Sequence, residues 1–474
     1  MRLAIGLLVA LLVAPAGFGQ GLENKSTKGT GDDSRLKWIP PTATFANAPS
    51  SPPIGAVYVF TDAASLGNCS GGGTAKATCQ WTGSSWAPTG GGNGTTRPSN
   101  TVALVGDSIT GQNSPAYFGS VYGLNADGYW NWANAMLGSA FNVVAYAGVS
   151  GNNTTQMLAR LNTDVIAYHP GWCVVEGGVN DILNGLTSAT SIANLTAIYN
   201  ALNAAGIKTI MLTVTPTTSV GSDARQFAIN SWMKSFAATN PNLIVVDAAA
   251  AMIDANSGTV APLPNATLDG VHFASLAGYL VGKAIATALA GAVPPTPAII
   301  SNNDPSTLVV NGLQIGTAGS TGSGASGSVS NSWTLTGYAG ATCIGSKGTR
   351  GDGLGAVQTI TMTGTSANSY CELKQTITGW TGTDTLQVQA EILNGSTIGK
   401  MVTAQLVFHA GSDHVHTTLW QDNGTTVLTN TTPDMVLKNV PQSVWGGTTS
   451  IDVSIWIYGT SGTVNIGRVE VHKI

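Results

Sequence analysis

Short hydrophobic runs alternate with longer, helix-like stretches through the middle of the chain. Five runs are rich in β-branched or small apolar residues and have the length of buried strands: residues 102–105, 142–145, 173–175, 209–214 and 244–246. Helical character marks four stretches that separate or follow them: residues 154–162, 191–205, 224–238 and 274–290. This alternation predicts βαβ units, and therefore a three-layer α/β domain with a parallel sheet over residues 99–296.

The pattern changes beyond residue 301, where Gly, Thr and Ser dominate and short runs alternate between apolar and polar residues. The clearest runs are residues 386–391, 403–408 and 451–457. Because no helical period continues, residues 297–474 predict an all-β sandwich. The prolines at positions 294, 295 and 297 separate the two regions. We expect the β-domain to be separable from catalysis, since the candidate chemistry lies before these prolines.

The N-terminal part of the chain carries targeting and linker signals. An apolar run at residues 3–14 follows Arg2 and precedes small residues, which predicts a signal peptide over residues 1–19. An uncleaved anchor is the alternative, although the run is shorter than the roughly 18 residues that span a bilayer. Residues 20–98 predict a linker and then a small β-rich module that ends in a glycine run at 90–94. We expect a secreted or periplasmic protein without a stable membrane anchor.

The five cysteines fit an oxidising compartment. Cys69 and Cys79 lie in the N-terminal module, and Cys343 and Cys371 lie in the β-domain, so two local disulfides are the simplest pairing. Cys173 remains, and its apolar surroundings in the sequence predict a buried free thiol.

The low number of charged residues argues against nucleic acid as a partner. Only 9% of the residues are charged, and 19 Lys and Arg against 23 Asp and Glu give a net charge of −4. A protein that neutralises many phosphates needs more cations, so we expect no nucleic-acid partner. The sequence has no zinc-ligand spacing. His409, His414 and His416 form the one weak metal candidate, and we predict neither a metal nor a cofactor.

Polar side chains and glycines follow the predicted strands at the edge where parallel sheets bind ligands. Ser108 stands in Gly-Asp-Ser-Ile-Thr after the first strand, and Gly151 closes a glycine-bearing turn after the second. Asn180 stands in Gly-Gly-Val-Asn-Asp after the third strand. Asp269 precedes His272 by three residues, where a carboxylate can orient the imidazole.

These four blocks, in this order, resemble the signature blocks of the SGNH (GDSL-type) hydrolase superfamily. The resemblance covers about residues 101–293, under half of the chain, and implies a flavodoxin-like α/β domain. It further implies that Ser108 is the nucleophile, His272 the general base and Asp269 its orienting partner. The implied oxyanion donors are the backbone N–H groups of Ser108 and Gly151 and the side-chain amide of Asn180. The Gly-x-Ser-x-Gly elbow of the α/β-hydrolases is absent.

Other polar residues near the blocks have simpler interpretations. Asp107 and Asp181 are explained by capping or turn hydrogen bonds, and His169 by a structural role. Glu176 forms a tempting carboxylate pair with Asp181, but nothing else in the sequence supports a glycosidase.

Two classes of function stay open. The first is an exported serine esterase acting on O-acetyl or other small acyl esters of carbohydrate, with acetylated polysaccharide as the expected substrate; a lipid-directed or broad carboxylesterase is its rival. The second is a non-enzymatic adhesion or binding protein that uses the fold as a scaffold. The β-domain resembles carbohydrate-binding jelly rolls, and its aromatic residues fit either sugar stacking or a sandwich core: Tyr370, Trp420, Trp445, Trp456 and Tyr458. The sequence leaves the oligomeric state open.

Overall fold

The computed structural model describes residues 42–48, 57–63, 69–72, 75–81, 85–88, 100–115, 123–219, 223–257, 260–420 and 432–474. The predicted signal peptide, most of the predicted linker and the glycine run at 90–94 lie outside these residues. No helix in the described ranges is both long and apolar enough to cross a membrane.

A small sheet lies at the N-terminal end of the described chain. Its four strands are paired in sequence order: β1 (Thr42–Ala43), β2 (Val57–Ala63), β3 (Ala75–Trp81) and β4 (Trp86–Pro88). The predicted Cys69–Cys79 disulfide is present. Phe60 is fully buried and stacks on Phe45 with ring centroids 4.0 Å apart, so a disulfide and an aromatic pair stabilise this sheet.

The middle of the chain alternates strands and helices as its sequence predicts. The strands are β5 (Thr101–Gly106), β6 (Gly123–Asn125), β7 (Asn142–Gly148), β8 (Trp172–Val175), β9 (Lys208–Leu212) and β10 (Leu243–Val246). The helices are α1 (Ser108–Gly111), α2 (Tyr129–Met136), α3 (Thr154–Asp164), α4 (Val179–Leu183), α5 (Ser188–Ala204), α6 (Ala224–Ala237), α7 (Ala248–Met252) and α8 (Ser275–Ala288).

Five of these strands form one parallel sheet in the order β10-β9-β8-β5-β7. The chain passes from β5 to β7 on one side and then crosses to β8 on the other side, so the strand order reverses at β5. Ligands of open α/β sheets bind outside the carboxyl ends of the strands at such a reversal. The fold therefore places the segment after β5 at the expected binding crevice.

Two elements differ from the sequence pattern for identifiable reasons. Helix α2 was not predicted, because six of its eight residues are buried and one of its two asparagines, Asn131, is among them, so the polar side that marks a surface helix is weak. Strand β9 ends at Leu212, two residues before the predicted end. The next residue, Thr213, still donates its N–H to the carbonyl of Val246, and its hydroxyl binds Asp247 and the N–H of Ala249 at the start of α7.

The C-terminal region is built from strands. They are β11 (Ala318–Thr321), β12 (Ala325–Gly327), β13 (Val329–Tyr338), β14 (Thr342–Thr349), β15 (Ala356–Thr363), β16 (Tyr370–Ile377), β17 (Thr385–Ile392), β18 (Met401–Ala410), β19 (Ser412–Trp420), β20 (Met435–Lys438), β21 (Gln442–Ser443), β22 (Ser450–Tyr458) and β23 (Ser461–Lys473). One sheet has the order β11-β13-β16-β22-β18-β19-β6, and the other has β12-β14-β15-β23-β17-β20, with β21 beside β17.

Both of these sheets contribute to a single hydrophobic core. Leu373 and Ile455 enter it from the first sheet, and Ile360 enters it from the second. The predicted Cys343–Cys371 disulfide joins β14 to β16 and thus links the two sheets. Cys173, by contrast, is a buried free thiol in β8, and burial raises its pKa well above the usual value.

The boundary between the α/β domain and the β-domain is a packed interface. Strand β6 precedes α2 in the α/β part of the chain, yet it pairs with β19 at the edge of the C-terminal sheet. Trp132 of α2 and Tyr279 of α8 pack edge to face at 5.4 Å and belong to the β-domain core. The Ser139 hydroxyl donates to the carbonyl of Val436. Removing residues after Pro297 would expose these aromatic rings, so the contacts argue against the expected separability.

Candidate active site

Ser108 lies at the first position of α1, directly after the carboxyl end of β5. Asp107 caps this short helix by accepting a hydrogen bond from the N–H of Ile109 at 2.9 Å. The backbone turns tightly here, because a Cβ at Gly106 would lie 2.0 Å from the Thr110 hydroxyl. Ser108 is 7% exposed, and its backbone N–H, at the first turn of a helix, has no intrahelical acceptor.

His272 and Asp269 meet Ser108 from the loop that precedes α8. His272 Nε2 lies 2.8 Å from Ser108 Oγ, and His272 Nδ1 lies 2.6 Å from Asp269 Oδ2. Asp269 Oδ1 also accepts the backbone N–H groups of Val271 at 3.0 Å and His272 at 2.8 Å. The carboxylate therefore fixes both the local turn and the tautomer with the proton on Nδ1, which leaves Nε2 as the acceptor for the serine hydroxyl.

The hydrogen-bonded pair of His272 and Asp269 is open to solvent on one side. The side chains of His272 and Asp269 are 31% and 54% exposed. Partial burial opposes ionisation of Asp269, but the hydrogen bonds from His272 and from the two backbone N–H groups outweigh it and lower the pKa of this carboxyl. Asp269 is therefore ionised wherever His272 acts as a base.

A buried glutamine joins the serine segment to the histidine loop. Gln112 follows α1, and its side-chain amide donates to the carbonyl of Phe273 at 2.8 Å and accepts the N–H of Phe273 at 3.1 Å. Gln112 is fully buried. These two bonds hold the residue after His272 against the segment after Ser108, across 161 positions of sequence.

Two of the predicted oxyanion residues lie after the two strands that flank β5 in the sheet: Gly151 is in the turn that precedes α3, and Asn180 is the second residue of α4. Gly151 has φ of 76° and open space where a Cβ would stand, so the turn favours glycine and leaves room beside it. Asn180 donates through Nδ2 to Asp107 Oδ2 at 2.9 Å and to the carbonyl of Asn152 at 3.3 Å. Both amide hydrogens of Asn180 are thus engaged. The longer bond, to the carbonyl of Asn152, is the one that an oxyanion of the substrate would replace.

An arginine and an aspartate fix the turn that contains Gly151. Arg160 is 9% exposed and donates to the carbonyls of Gly106 at 2.7 Å and Ala147 at 2.8 Å, and to Asn152 Oδ1 at 2.8 Å. It therefore joins the carboxyl ends of β5 and β7 to this turn. Asp181 of α4 accepts both the N–H and the hydroxyl of Thr154 at the start of α3. A residue of one helix therefore caps the first turn of another.

Sequence reasoning missed Gln112 and Arg160. A signal existed for Arg160, because it falls on the buried side of α3 with Met157 and Leu161. Gln112 gave no signal, since its partner is a backbone group far along the chain.

The remaining candidate residues lie elsewhere. His169 ends a short 3₁₀ turn with φ of 50°, as expected of a structural residue. In the β-domain, His409 contacts Asp413 at 2.7 Å and Asp452 at 3.1 Å, and His414 stacks on Trp445. Burial lowers the pKa of the nearby His416 to about 4. Within the described ranges, no three His, Cys, Asp or Glu side chains converge as metal ligands would.

Several aromatic residues of the β-domain form a stack outside its core. Tyr370 stacks on Tyr338 at 4.7 Å, on Trp456 at 4.9 Å and on Tyr458 at 4.9 Å. Because successive residues of a strand face opposite sides, Tyr370 lies on the face of β16 that is opposite to the core residue Cys371. Tyr338 is 37% exposed at the end of the stack.

For Asn180→Ala we expect a kcat that is roughly 10²–10³-fold lower on a soluble ester, the usual loss for one oxyanion donor. KM should change little, because the amide would act on charge that develops only in the transition state. Steady-state kinetics with p-nitrophenyl acetate measure both constants.

Asn194→Ala provides the matched control for this change. Its amide donates to the hydroxyls of Thr154 and Thr155 in the same domain, so it removes a comparable group away from Ser108. A raised KM with constant kcat in Asn180→Ala would instead identify a substrate-binding residue.

Comparison with known proteins agrees with this geometry. Residues 104–279 match the model of the GDSL-like Lipase/Acylhydrolase family, whereas the search of curated proteins gave no significant match. Similar solved structures include the lipase/acylhydrolase from Enterococcus faecalis, with 24% identity over 42% of this chain and 100% of that chain and a TM-score of 0.33.

Two further structures are similar to the same extent. A GDSL-like lipase from Bacteroides thetaiotaomicron has 21% identity over 42% of this chain and 93% of that chain, with a TM-score of 0.33. A catalytic mutant of an acetylxylan esterase from Geobacillus stearothermophilus has 21% identity over 40% of this chain and 94% of that chain, also with a TM-score of 0.33. Such low values carry no inference about substrate. The match of the family model is the stronger finding: residues 104–279 form a GDSL/SGNH hydrolase domain, and the protein is an ester hydrolase.

Proposed function

We propose that the protein is an exported serine esterase that removes O-acetyl or other small acyl groups from carbohydrate. The observation that carries the catalytic part is the continuous chain of contacts from Ser108 Oγ to His272 Nε2 at 2.8 Å and from His272 Nδ1 to Asp269 Oδ2 at 2.6 Å. A serine hydroxyl is a weak nucleophile until a neighbouring base accepts its proton, and this chain supplies that base.

Acylation proceeds by attack of Ser108 Oγ on the ester carbonyl while His272 Nε2 takes the hydroxyl proton. The resulting oxyanion faces the N–H groups of Ser108 and Gly151 and the amide of Asn180. The intermediate collapses when the bond between the acyl carbon and the alcohol oxygen breaks and His272 returns its proton to that oxygen. The alcohol leaves, and the acyl group remains on Ser108.

Deacylation repeats these steps with water. His272 takes a proton from the water as its oxygen attacks the acyl carbon, and it then protonates Ser108 Oγ as that bond breaks. Asp269 remains ionised throughout and stabilises the imidazolium that forms twice in each cycle.

Three features support a carbohydrate ester as the substrate. The exposed flank of His272 and Asp269 leaves one side of the triad accessible to an ester on a large molecule. The β-domain carries the stack that ends in the exposed Tyr338, and such rings pack well against sugar rings. The two disulfides are compatible with a secreted or periplasmic location.

Acyl preference decides between this proposal and its rivals. We expect hydrolysis of p-nitrophenyl esters to be fastest for acetate and to fall as the acyl chain lengthens, and we expect release of acetate from acetylated xylan. Simple acetates such as p-nitrophenyl acetate contain no sugar ring. Equal activity on these esters and on acetylated xylan would therefore count against specificity for carbohydrate. A rate that rises with acyl length and no acetate release from the glycan would identify a lipid-directed or broad carboxylesterase.

A further inference from the structure

Two carboxyl groups are buried side by side directly behind the nucleophile. Asp107 is fully buried and Glu176 is 4% exposed. They share a hydrogen bond, and the backbone N–H of Glu176 also binds the carbonyl of Val105 at 3.0 Å, which holds the end of β8 against β5. Two ionised carboxylates in contact at such buried positions would repel each other strongly, so the pair retains one proton.

Hydrogen-bond donors distinguish the two carboxyl groups. Asp107 receives the N–H of Ile109 and the amide of Asn180, both at 2.9 Å, which favours its ionised form. Glu176 accepts the hydroxyl of Thr110 at 2.8 Å and the backbone N–H of Asp107, while its side-chain hydrogen bond to Asp107 favours the ionised form of the aspartate. Burial first, and then the charge of Asp107, raise the pKa of Glu176 well above the ordinary value of 4.5. Burial raises the pKa of Asp107 as well, though less far, and we therefore place the shared proton on Glu176.

A relay of hydroxyl groups anchors the glutamate from the other side. The Thr110 hydroxyl donates to Glu176 Oε2 and lies 3.0 Å from the hydroxyl of Tyr129. Because Thr110 uses its hydrogen on the glutamate, Tyr129 is the donor in the second contact. This relay fixes the glutamate between helices α1 and α2.

We propose that Glu176 is a positioning residue: its uncharged carboxyl donates to Asp107 and thereby holds the aspartate that binds both the α1 turn and the Asn180 amide beside Ser108. This role rests on the proposed function, because it acts through the nucleophile and the oxyanion amide. It is unrelated to a glycosidase pairing of Glu176 with Asp181, which the sequence does not support, because Asp181 binds Thr154.

Substitution by glutamine tests the neutral state directly. Glutamine keeps the shape, accepts from Thr110 and donates to Asp107, so Glu176→Gln should retain at least about a third of the wild-type kcat. Glu176→Ala leaves Asp107 unsupported, and a misplacement near 1 Å costs about 10²-fold, so its kcat on p-nitrophenyl acetate should fall roughly 10- to 100-fold with little change in KM. A Glu176→Gln variant as inactive as Glu176→Ala would overturn the proposal.

Thermal unfolding as a function of pH gives a second readout that does not depend on turnover. The folded pair binds a proton that an unfolded glutamate releases above its ordinary pKa of 4.5. The stabilising effect of that proton is complete below pH 4.5 and is lost as the pH rises towards the raised folded value. In that window the unfolding constant should rise up to tenfold per pH unit from this group alone.

The groups that face the pair are Thr110, Tyr129 of α2, Cys173 of β8 and His272. All four groups are present in every variant, so their contributions are the same on both sides of the comparison. As the pH rises from 5 to 8, the Tm of wild type should therefore fall relative to the Tm of Glu176→Gln. A constant difference across this range would show that Glu176 is not the proton carrier, and would overturn the proposal.

Two controls separate this inference from the proposed function. Gln389→Ala removes a buried amide that donates to the carbonyl of Pro297 in the β-domain, so it reports the general effect of losing a buried polar group on Tm and kcat. If wild type neither hydrolyses esters nor reacts with a serine-directed phosphonate, the proposed function fails. The pH dependence of Tm still decides whether Glu176 carries the proton.

Discussion

Ser108→Ala should lower the rate of ester hydrolysis by about 10⁴-fold or more, to the level left by binding and oxyanion contacts. The hydroxyl is the group that lies 2.8 Å from the base at His272, and alanine offers no atom to form the acyl-enzyme. A fluorophosphonate should label wild type at Ser108 and leave the variant unlabelled, which mass spectrometry of the tryptic peptides measures.

Ser191→Ala is the matched control for that loss. Ser191 is buried in the same domain and donates to the carbonyl of Thr187 at 3.3 Å, so its substitution removes a buried hydroxyl with no link to His272. We expect wild-type rates from it. Substantial activity in Ser108→Ala, or phosphonate labelling at another serine, would move the nucleophile elsewhere in the chain.

Asp269→Asn should have the second largest effect, about 10⁴-fold on kcat. Asparagine keeps the size of the side chain, and its oxygen still satisfies the N–H groups of Val271 and His272. Its amide would then face His272 Nδ1 as a donor, which favours the tautomer with the proton on Nε2 and removes the acceptor that Ser108 needs. Kinetics with p-nitrophenyl acetate and the rate of phosphonate labelling should fall together.

The pH behaviour of Asp269 follows from its lowered pKa. Its ordinary pKa is 3.8, so the stabilising contribution of its ionised form is present above about pH 4 and is lost only as the pH falls through the lower folded value.

Asp254→Asn is the matched control for the Asp269→Asn substitution, because it changes an aspartate that accepts the N–H of Asn256 in an exposed turn. Near-normal activity in Asp269→Asn would show that His272 is oriented by other groups.

The sequence predicted those parts of the site that depend on local pattern. Ser108, Gly151 and Asn180 each follow a strand of a parallel sheet, and the topology of such sheets brings the ends of neighbouring strands together. Asp269 and His272 lie three residues apart, so their contact is also local. The cysteine pairs were predictable for the same reason, since each lies within one region of the chain.

The contacts that align these local pieces were not predictable. Gln112 pairs with the backbone of Phe273, and Asp107 accepts the side-chain amide of Asn180, 73 positions along the chain. Buried polar groups find partners wherever the fold brings them, and a single sequence carries no trace of which partner that is. The N-cap interpretation of Asp107 is correct but incomplete, because its second oxygen binds Asn180.

Strand β6 has a consequence for the order in which the protein acquires its structure during synthesis. It leaves the ribosome early, whereas its partner β19 follows roughly 290 residues later, or about 15–60 s at ordinary rates of translation. Until then, the edge of β6 has no strand beside it, and Trp132 of α2 packs on Tyr279 without the β-domain part of its core. The hydrolase domain therefore completes this part of its surface only after β19 has been made.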